Sequence, residues 1–483
     1  MGERAEALRA NSARTTLCAA LTVAVVGGLV NGWQLGRPGL WRDETATRVA
    51  AERDWSLLWA MVQQIDLVHA SYYAAMHVWV QLFGSSPVAL RVPSLIGLMV
   101  AVAATVGLGR IMLGSLRGAV VAGLVLSWLP LATSSSVEAR AQTWVMALGC
   151  LVVLTWWRAV SRPERWRRWV LHGLLAVIMI HVSVVSAVLL LVFPVVLMLR
   201  RRPRAWPPWI VTCLVIGSLC LPVLRGAMRQ QAQLAWVSGV DGRQVLAAFT
   251  ATFWAREPYV WVIGTALTLA GVVALARRGA PFRARLALLV GLWLLPTAVL
   301  LVVSAIGSPL YTPRYVIISL PAVALLVAAV GLRLPHWSSV LLVALVVLLC
   351  LPSHRAARVE DAKGDKWLAM ARLLEHHAQP GDVVLFADEP PYRRVRYAYP
   401  DAFTGLVDAT TAVDAVHSTT LWGITRPATE AVAFTDGATR VWLIGDKAFP
   451  YGPESRLVEQ RGFRRDKDMH LIAGHARLSL FVR

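Results

Sequence analysis

Apolar runs of about 15–25 residues recur down most of the chain, each closed by a short polar connection. A bilayer core of roughly 30 Å takes about 20 helical residues. The runs therefore predict membrane helices near 15–35, 90–112, 118–133, 140–158, 169–182, 184–199, 208–224, 259–276, 285–304, 315–332 and 337–352. The pair within Trp169–Leu199 is too short for two full spans and predicts a dipped hairpin with His181 below the outer membrane surface. Beyond residue 353 the pattern changes. Trp367–His376 predicts a helix, and Gly381–Phe386, Arg440–Ile444 and Ala476–Val482 predict strands between Gly and Pro turns. The expected architecture is an α-helical polytopic membrane protein of about 11 transmembrane helices. It would comprise a membrane module over 1–352 and a small C-terminal α/β domain over 353–483, with no repeats.

Composition agrees with this reading. The chain is 57% hydrophobic and 16% charged, with a mean hydropathy of +0.57, against roughly 45–50% and about 25% in soluble domains. That excludes a cytosolic enzyme, a disordered chain and a disulfide scaffold. The net charge of +20 does not mark a nucleic-acid partner, because residues 353–483 hold 18 basic and 17 acidic residues. The excess lies in short loops instead. Arg110 and Arg117, Arg158–Arg168, Arg200–Arg204, Arg277–Arg285 and Arg333 alternate with loops holding Asp43, Glu44, Asp66, Glu138, Asp241 and Glu257. Basic loops stay cytoplasmic, so the N-terminus is expected inside and the C-terminal domain outside. The first run follows Arg4, Arg9 and Arg14 like a signal peptide, but without a small-residue cleavage site it reads as a retained helix. The five Cys lie in apolar stretches and read as small buried hydrophobes.

Ionisable residues beside a membrane are costly and point to function. They concentrate between the first two predicted helices, in Trp41-Arg42-Asp43-Glu44 and in the stretch from Asp66 to Trp79. If that stretch is helical, Asp66, His69 and either Tyr72 or Tyr73 share one face. Trp55, Leu58 and Trp59 predict an amphipathic helix lying in the interface. The acids, this helix and the Asp-x-x-His pair suggest a pocket rim. Blander roles stay open: Asp43 as a helix N-cap, Glu44 as a solvated or orienting acid, and His69 as an interfacial histidine. His77 and Trp79 read as packing residues.

Five motifs resemble a known family. "WRDE" (41–44), "DLVHASYY" (66–73), "LFGSSPVALRVPSLIG" (82–97), "VEARAQTW" (137–144) and "YTPRYVIISLPAVALL" (311–326) are similar to landmarks of the protein O-mannosyltransferase type. That family lies within the glycosyltransferase C superfamily, which includes the lipid A aminoarabinose transferases. The resemblance covers about 1–352, and the start of the tail, "KGDKWLAMARLLEHHAQPGDVVLF", looks like tails of some bacterial and actinobacterial members.

The resemblance implies transfer of a sugar from a polyprenyl-phosphate carrier to an acceptor hydroxyl on the outer face, with inversion at the anomeric carbon. The acceptor would be a cell-envelope glycan, glycolipid or protein. It implies mannose first and arabinofuranose second as the sugar. Family position puts the general base on Asp43, with Glu44 beside it. Arg314 is the candidate for the donor phosphate, since Arg binds phosphate oxygens bidentately. Tyr311, Arg140, Arg91 and His69 are further donor-side candidates; Asp66, Tyr72, Tyr73, Glu138 and His181 are pocket candidates. Interface anchoring remains open for Arg91 and Arg314, as does a structural pair with Glu138 or Glu44 for Arg140. No cofactor is expected; a divalent cation held by Asp43, Glu44 and Asp66 is the alternative, and no Cys/His spacing suggests zinc. A transporter or flippase is the competing class, though no internal symmetry supports it. A scaffold protein is the third.

Overall fold

The computed structural model describes residues 2–234, 237, 239–307, 309–364, 366–387, 390–446, 453–473 and 476–483. The chain divides into two compact units. The first holds residues 1–33, 67–71 and 91–357; the second holds 34–66, 72–90 and 358–483.

In chain order the helices up to residue 161 are α1 Gly2–Gly32, α2 Arg42–Ala51, α3 Trp55–Gln64, α4 Ala70–Phe83, α5 Pro87–Met112, α6 Leu116–Trp128, α7 Pro130–Ser136 and α8 Gln142–Ser161. There follow α9 Trp166–Val182, α10 Val192–Leu199, α11 Trp206–Arg229, α12 Gly242–Phe249, α13 Pro258–Ala276, α14 Arg283–Ile306, α15 Leu320–Val330 and α16 His336–Ala356. Every predicted apolar run is helical. Among the described residues eight helices are long and apolar enough to cross a membrane, or nine if the bent pair α6–α7 is one span. The remaining two runs are the short pair, α9 and the apolar segment Val184–Leu199, which begins as a 3-10 helix. The α6–α7 bend is 62°. Its cause is Pro130, which has no N–H to continue the ladder and pushes Leu129 to ψ +131°.

The first unit buries Ala, Val and Leu between helices and leaves Leu17, Leu29, Leu174, Leu214, Val340 and Leu348 exposed, as lipid-facing surfaces require. Cys18 is exposed in the same way, so its apolar surroundings are not a protein core. Helices α13 and α15 touch at Gly271, where a Cβ would collide with the carbonyl of Leu326. Small residues let membrane helices approach this closely. Gly271→Ala should therefore separate them, at a cost of about 1–3 kcal/mol, read as a lower melting temperature in detergent.

The second unit carries α17 Trp367–His377, α18 Pro390–Ala398, α19 Ala428–Ala433 and α20 Pro453–Gln460. Its strands are β1 Val383–Phe386, β2 Val407–Asp408, β3 Thr411–Val413, β4 Ile424–Thr425, β5 Arg440–Asp446, β6 Arg464–Ala473 and β7 Ala476–Val482. The main sheet runs β2-β1-β5-β7-β6. The β2-β1-β5 part is parallel, with Val383 opposite Val441, and β7 and β6 continue it antiparallel. The continuous apolar run of β1 is buried on both faces, the signature of a covered parallel strand. Buried Asp382 accepts from Trp442 Nε1 at 2.8 Å and Arg440 Nε at 3.1 Å, closing the sheet at that end.

Candidate functional site

Asp43, Glu44 and Asp66 belong to the second unit, and Glu138 to the first. Trp41 is the N-cap of α2, so Asp43 and Glu44 stand in its first turn and Asp43 is not the cap. Asp43 is 8% exposed and Glu44 is fully buried. Arg42 Nε lies 3.4 Å from Asp43 Oδ1, and Thr47 Oγ1 donates to the Asp43 carbonyl. The positive end of the helix dipole favours carboxylates here.

What fixes α2 is the C-terminal tail. Arg53, completely buried, donates to the carbonyls of Ser418 (3.2 Å), Thr420 (2.7 Å) and Leu421 (3.1 Å), as well as to Val49 of α2. Burial pushes its pKa down to about 10, partly offset by Tyr73, Tyr397 and Asp414. Arg48 Nη1 donates to the Ala398 carbonyl, and the Leu40 N–H donates to Tyr399 Oη at 2.7 Å. Val49, Tyr397 and Ala415 form a small apolar cluster beside these bonds.

The helix expected over Asp66–Trp79 begins only at Ala70. Asp66 has φ +64°, a left-handed conformation that breaks the turn, and Leu67–His69 is a 3-10 segment. Helical spacing therefore does not align Asp66, but Tyr73 Oη still donates to Asp66 Oδ2 at 3.0 Å. Tyr72 and Tyr73 are buried. His77 Nδ1 meets the Ala51 carbonyl at 2.9 Å with its ring tilted on Trp55, and Trp79 Nε1 donates to Ala89, the packing roles expected of both. In α3, Leu58, Met61 and Val62 are buried while Trp55 and Trp59 stay exposed, an amphipathic helix as its sequence predicts.

The basic candidates belong to the first unit. Arg140 lies in the irregular stretch between α7 and α8, with Nη2 3.1 Å from His69 Nε2. Its carbonyl accepts from Ser94 Oγ of α5, and its N–H donates to the Glu138 carbonyl. Arg91 of α5 is fully buried and Glu138 half-buried. Tyr311 precedes the 3-10 segment Pro313–Ser319 that leads into α15, and Arg314 stands in its first turn. Tyr311 Oη pairs with Thr252 Oγ1 at 3.0 Å, and burial raises the phenol pKa. Ser304 Oγ accepts from the Tyr311 N–H at 2.8 Å. Half-buried Arg314 lies over the Tyr315 ring. Between them, buried Thr312 Oγ1 has no hydrogen-bond partner among the described residues. Among the described residues His181 meets the Val177 carbonyl and Cys220 Sγ and joins none of the other candidates.

Arg53, Arg48, Tyr399, Ser94 and Thr252 escaped the sequence reading. Their partners are mostly backbone carbonyls or hydroxyls distant in the chain, which leave no spacing signal. Among the described residues no group of three or more His, Cys, Asp or Glu could hold a metal ion, so Asp43, Glu44 and Asp66 do not form a three-carboxylate cage.

A family model described as dolichyl-phosphate-mannose-protein mannosyltransferase matches residues 71–225. Among solved structures the chain is similar to ArnT from Cupriavidus metallidurans bound to undecaprenyl phosphate. That likeness has 12% identity and a TM-score of 0.61, and covers 95% of this chain and 97% of that one. It is also similar to the oligosaccharyltransferase of Archaeoglobus fulgidus in complex with Zn and sulfate. Here identity is 12% and the TM-score 0.52, over 89% of this chain and 68% of that one. A comparison with curated proteins finds no match. These likenesses show that the chain has the fold of the ArnT and oligosaccharyltransferase structures, and the family match lies within residues 71–225.

Proposed function

We propose that this protein is a membrane glycosyltransferase that moves a sugar from a polyprenyl-phosphate carrier to a hydroxyl of a cell-envelope glycan, glycolipid or protein. The observation that carries the reading most is the acid pair Asp43–Glu44, buried in the first turn of α2 and braced by the tail, in a chain of this fold. The ArnT neighbour, whose structure holds undecaprenyl phosphate, supports the same carrier class. Mannose is the favoured sugar and arabinofuranose the second.

In the proposed step the acceptor oxygen attacks the anomeric carbon and the bond from that carbon to the phosphate oxygen breaks. The acceptor proton passes to Asp43, and polyprenyl phosphate leaves with the electron pair. A single displacement inverts the anomeric centre. The leaving phosphate needs positive charge rather than a proton, which is the role proposed for Arg314, with Arg140, Arg91, His69 and Tyr311 in support. Glu44, Asp66, Tyr72, Tyr73, Glu138 and His181 remain candidates for shaping the pocket. Arg314→Lys keeps the charge but loses the planar fork, so donor affinity should fall at least about tenfold, the low end of what one hydrogen bond to a charged group contributes. Unaltered affinity would make Arg314 an interface anchor.

The proposed location is the cell membrane, with a cytoplasmic N-terminus and residues 358–483 outside. Segments 34–66 and 358–483 share one compact unit, so the chain between them must cross the membrane an even number of times. Seven of the eight candidate spans lie there. Counting α6–α7 as a further span makes the number even, and the short pair then crosses twice or not at all. A reporter fused after Arg483 tests the side. Purified protein given radiolabelled polyprenyl-phosphate mannose or arabinofuranose tests the reaction. If neither sugar is transferred but the lipid crosses the bilayer, the flippase reading replaces this one.

A further inference from the structure

We propose that the ends of α8, α10 and α14 form a binding site for the phosphate of an anionic lipid headgroup, with Arg200 as its central donor. The site lies wholly within the first unit and is independent of the roles proposed for Asp43 and Arg314. Arg200 directly follows α10 and is half-buried. Its Cζ lies over the Trp157 ring of α8, 4.0 Å from the centroid, and its Nη2 reaches Ser161 Oγ at a long 3.4 Å. Its Nη1 is buried with no hydrogen-bond partner among the described residues.

The charges around Arg200 repel it. Arg202 and Arg285 act on it and, after burial, help push its pKa down to about 10. Arg285 in turn shares the Phe282 ring with Arg278, their Cζ atoms lying 4.6 and 4.8 Å from its centroid. Arg278 Nη1 donates to the Leu113 carbonyl, which brings the α5–α6 connection to the same cluster. Among the described residues none of Arg200, Arg202, Arg278 and Arg285 is in an ion pair.

Packing four guanidinium groups together without a carboxylate is destabilising, and so is burying an N–H without an acceptor. A phosphate removes both penalties at once, because its oxygens match the guanidinium fork. The neighbouring surface points to a lipid as the source. Val195, Met198 and Leu199 of α10 are exposed apolar side chains leading up to Arg200, so acyl chains can lie along the helix while the headgroup sits at its end. Basic pockets between membrane helices recognise acidic headgroups in this way.

Native mass spectrometry of the full-length protein in detergent, titrated with phosphatidylglycerol, tests the site. At about a factor of five per basic side chain, R200Q/R285Q should weaken phosphatidylglycerol binding about thirtyfold. R162Q/R165Q removes the same net charge from two exposed arginines and should change binding less than twofold. Equal losses in the two double variants, or phosphatidylcholine binding as tightly as phosphatidylglycerol, would overturn the proposal. Displacement of phosphatidylglycerol by millimolar inorganic phosphate would overturn the lipid assignment in favour of a free-anion site. Should R200Q/R285Q fail to fold, R200K keeps the charge and loses the fork; it should weaken binding about fivefold, and unchanged binding in the folded variant would overturn the role of Arg200.

Discussion

Asp43→Asn is expected to slow sugar transfer about 10²–10⁴-fold, the usual contribution of a positioned general base. The substitution keeps the shape of the side chain and removes the site that would take the acceptor proton. Donor binding should change little, because the carrier phosphate is assigned to arginines of the other unit. The fold should also tolerate it. A carboxylate in the first turn of a helix gains about 0.3–1 kcal/mol from the dipole, a small part of the stability of a domain. Single-turnover assays with labelled donor, beside a direct measurement of donor affinity, separate the two effects. Near-normal turnover in Asp43→Asn would move the base to Glu44 or Asp66.

Removing the tail after Ala357 should abolish turnover itself, beyond any loss of acceptor affinity. The acid-bearing segment 34–66 is part of the same compact unit as the tail. Without residues 358–483, Arg53 loses the carbonyls of Ser418, Thr420 and Leu421, Arg48 loses that of Ala398, and the Leu40 N–H loses Tyr399 Oη. A milder version is Arg53→Leu, which leaves the carbonyls of Ser418, Thr420 and Leu421 without their donor. At roughly 1 kcal/mol for each lost bond the unit should weaken by about 3 kcal/mol. Limited proteolysis of the 418–421 loop should accelerate, and kcat should fall while donor affinity holds. A truncated chain that keeps its kcat and loses only acceptor affinity would mean that the tail serves the acceptor and does not brace α2.

The helices were legible because a membrane helix must satisfy its backbone internally and present apolar side chains over about 20 residues. The tail strands β1, β5 and β7 were legible from their branched and aromatic runs, whereas β6 is too charged to announce itself. The bend at Pro130 hides inside the apolar run 118–133, where hydropathy gives no sign of the break. Asp66 failed for a different reason: helical spacing presumes regular dihedrals, and its positive φ removes them. Asp43 and Glu44 stood out as costly acids beside an apolar run. Their brace did not, because Arg53 sits 365 to 368 residues before the carbonyls it holds, and a backbone carbonyl has no residue type to recognise. The His69–Arg140 contact spans 71 residues for the same reason.

That long separation also sets a clock on the ribosome. Arg53 emerges 365 residues before Ser418, so at about 5–20 residues per second it waits roughly 20–70 s for its partners. Throughout that time most of the membrane helices are being inserted, while the stretch bearing Asp43 and Glu44 has no finished core to join. The acid pair therefore becomes a buried, fixed feature only at the end of synthesis. A nascent chain arrested before residue 418 should carry its membrane helices and a segment 34–66 still open to protease, and the protected segment should appear only as the last strands are released.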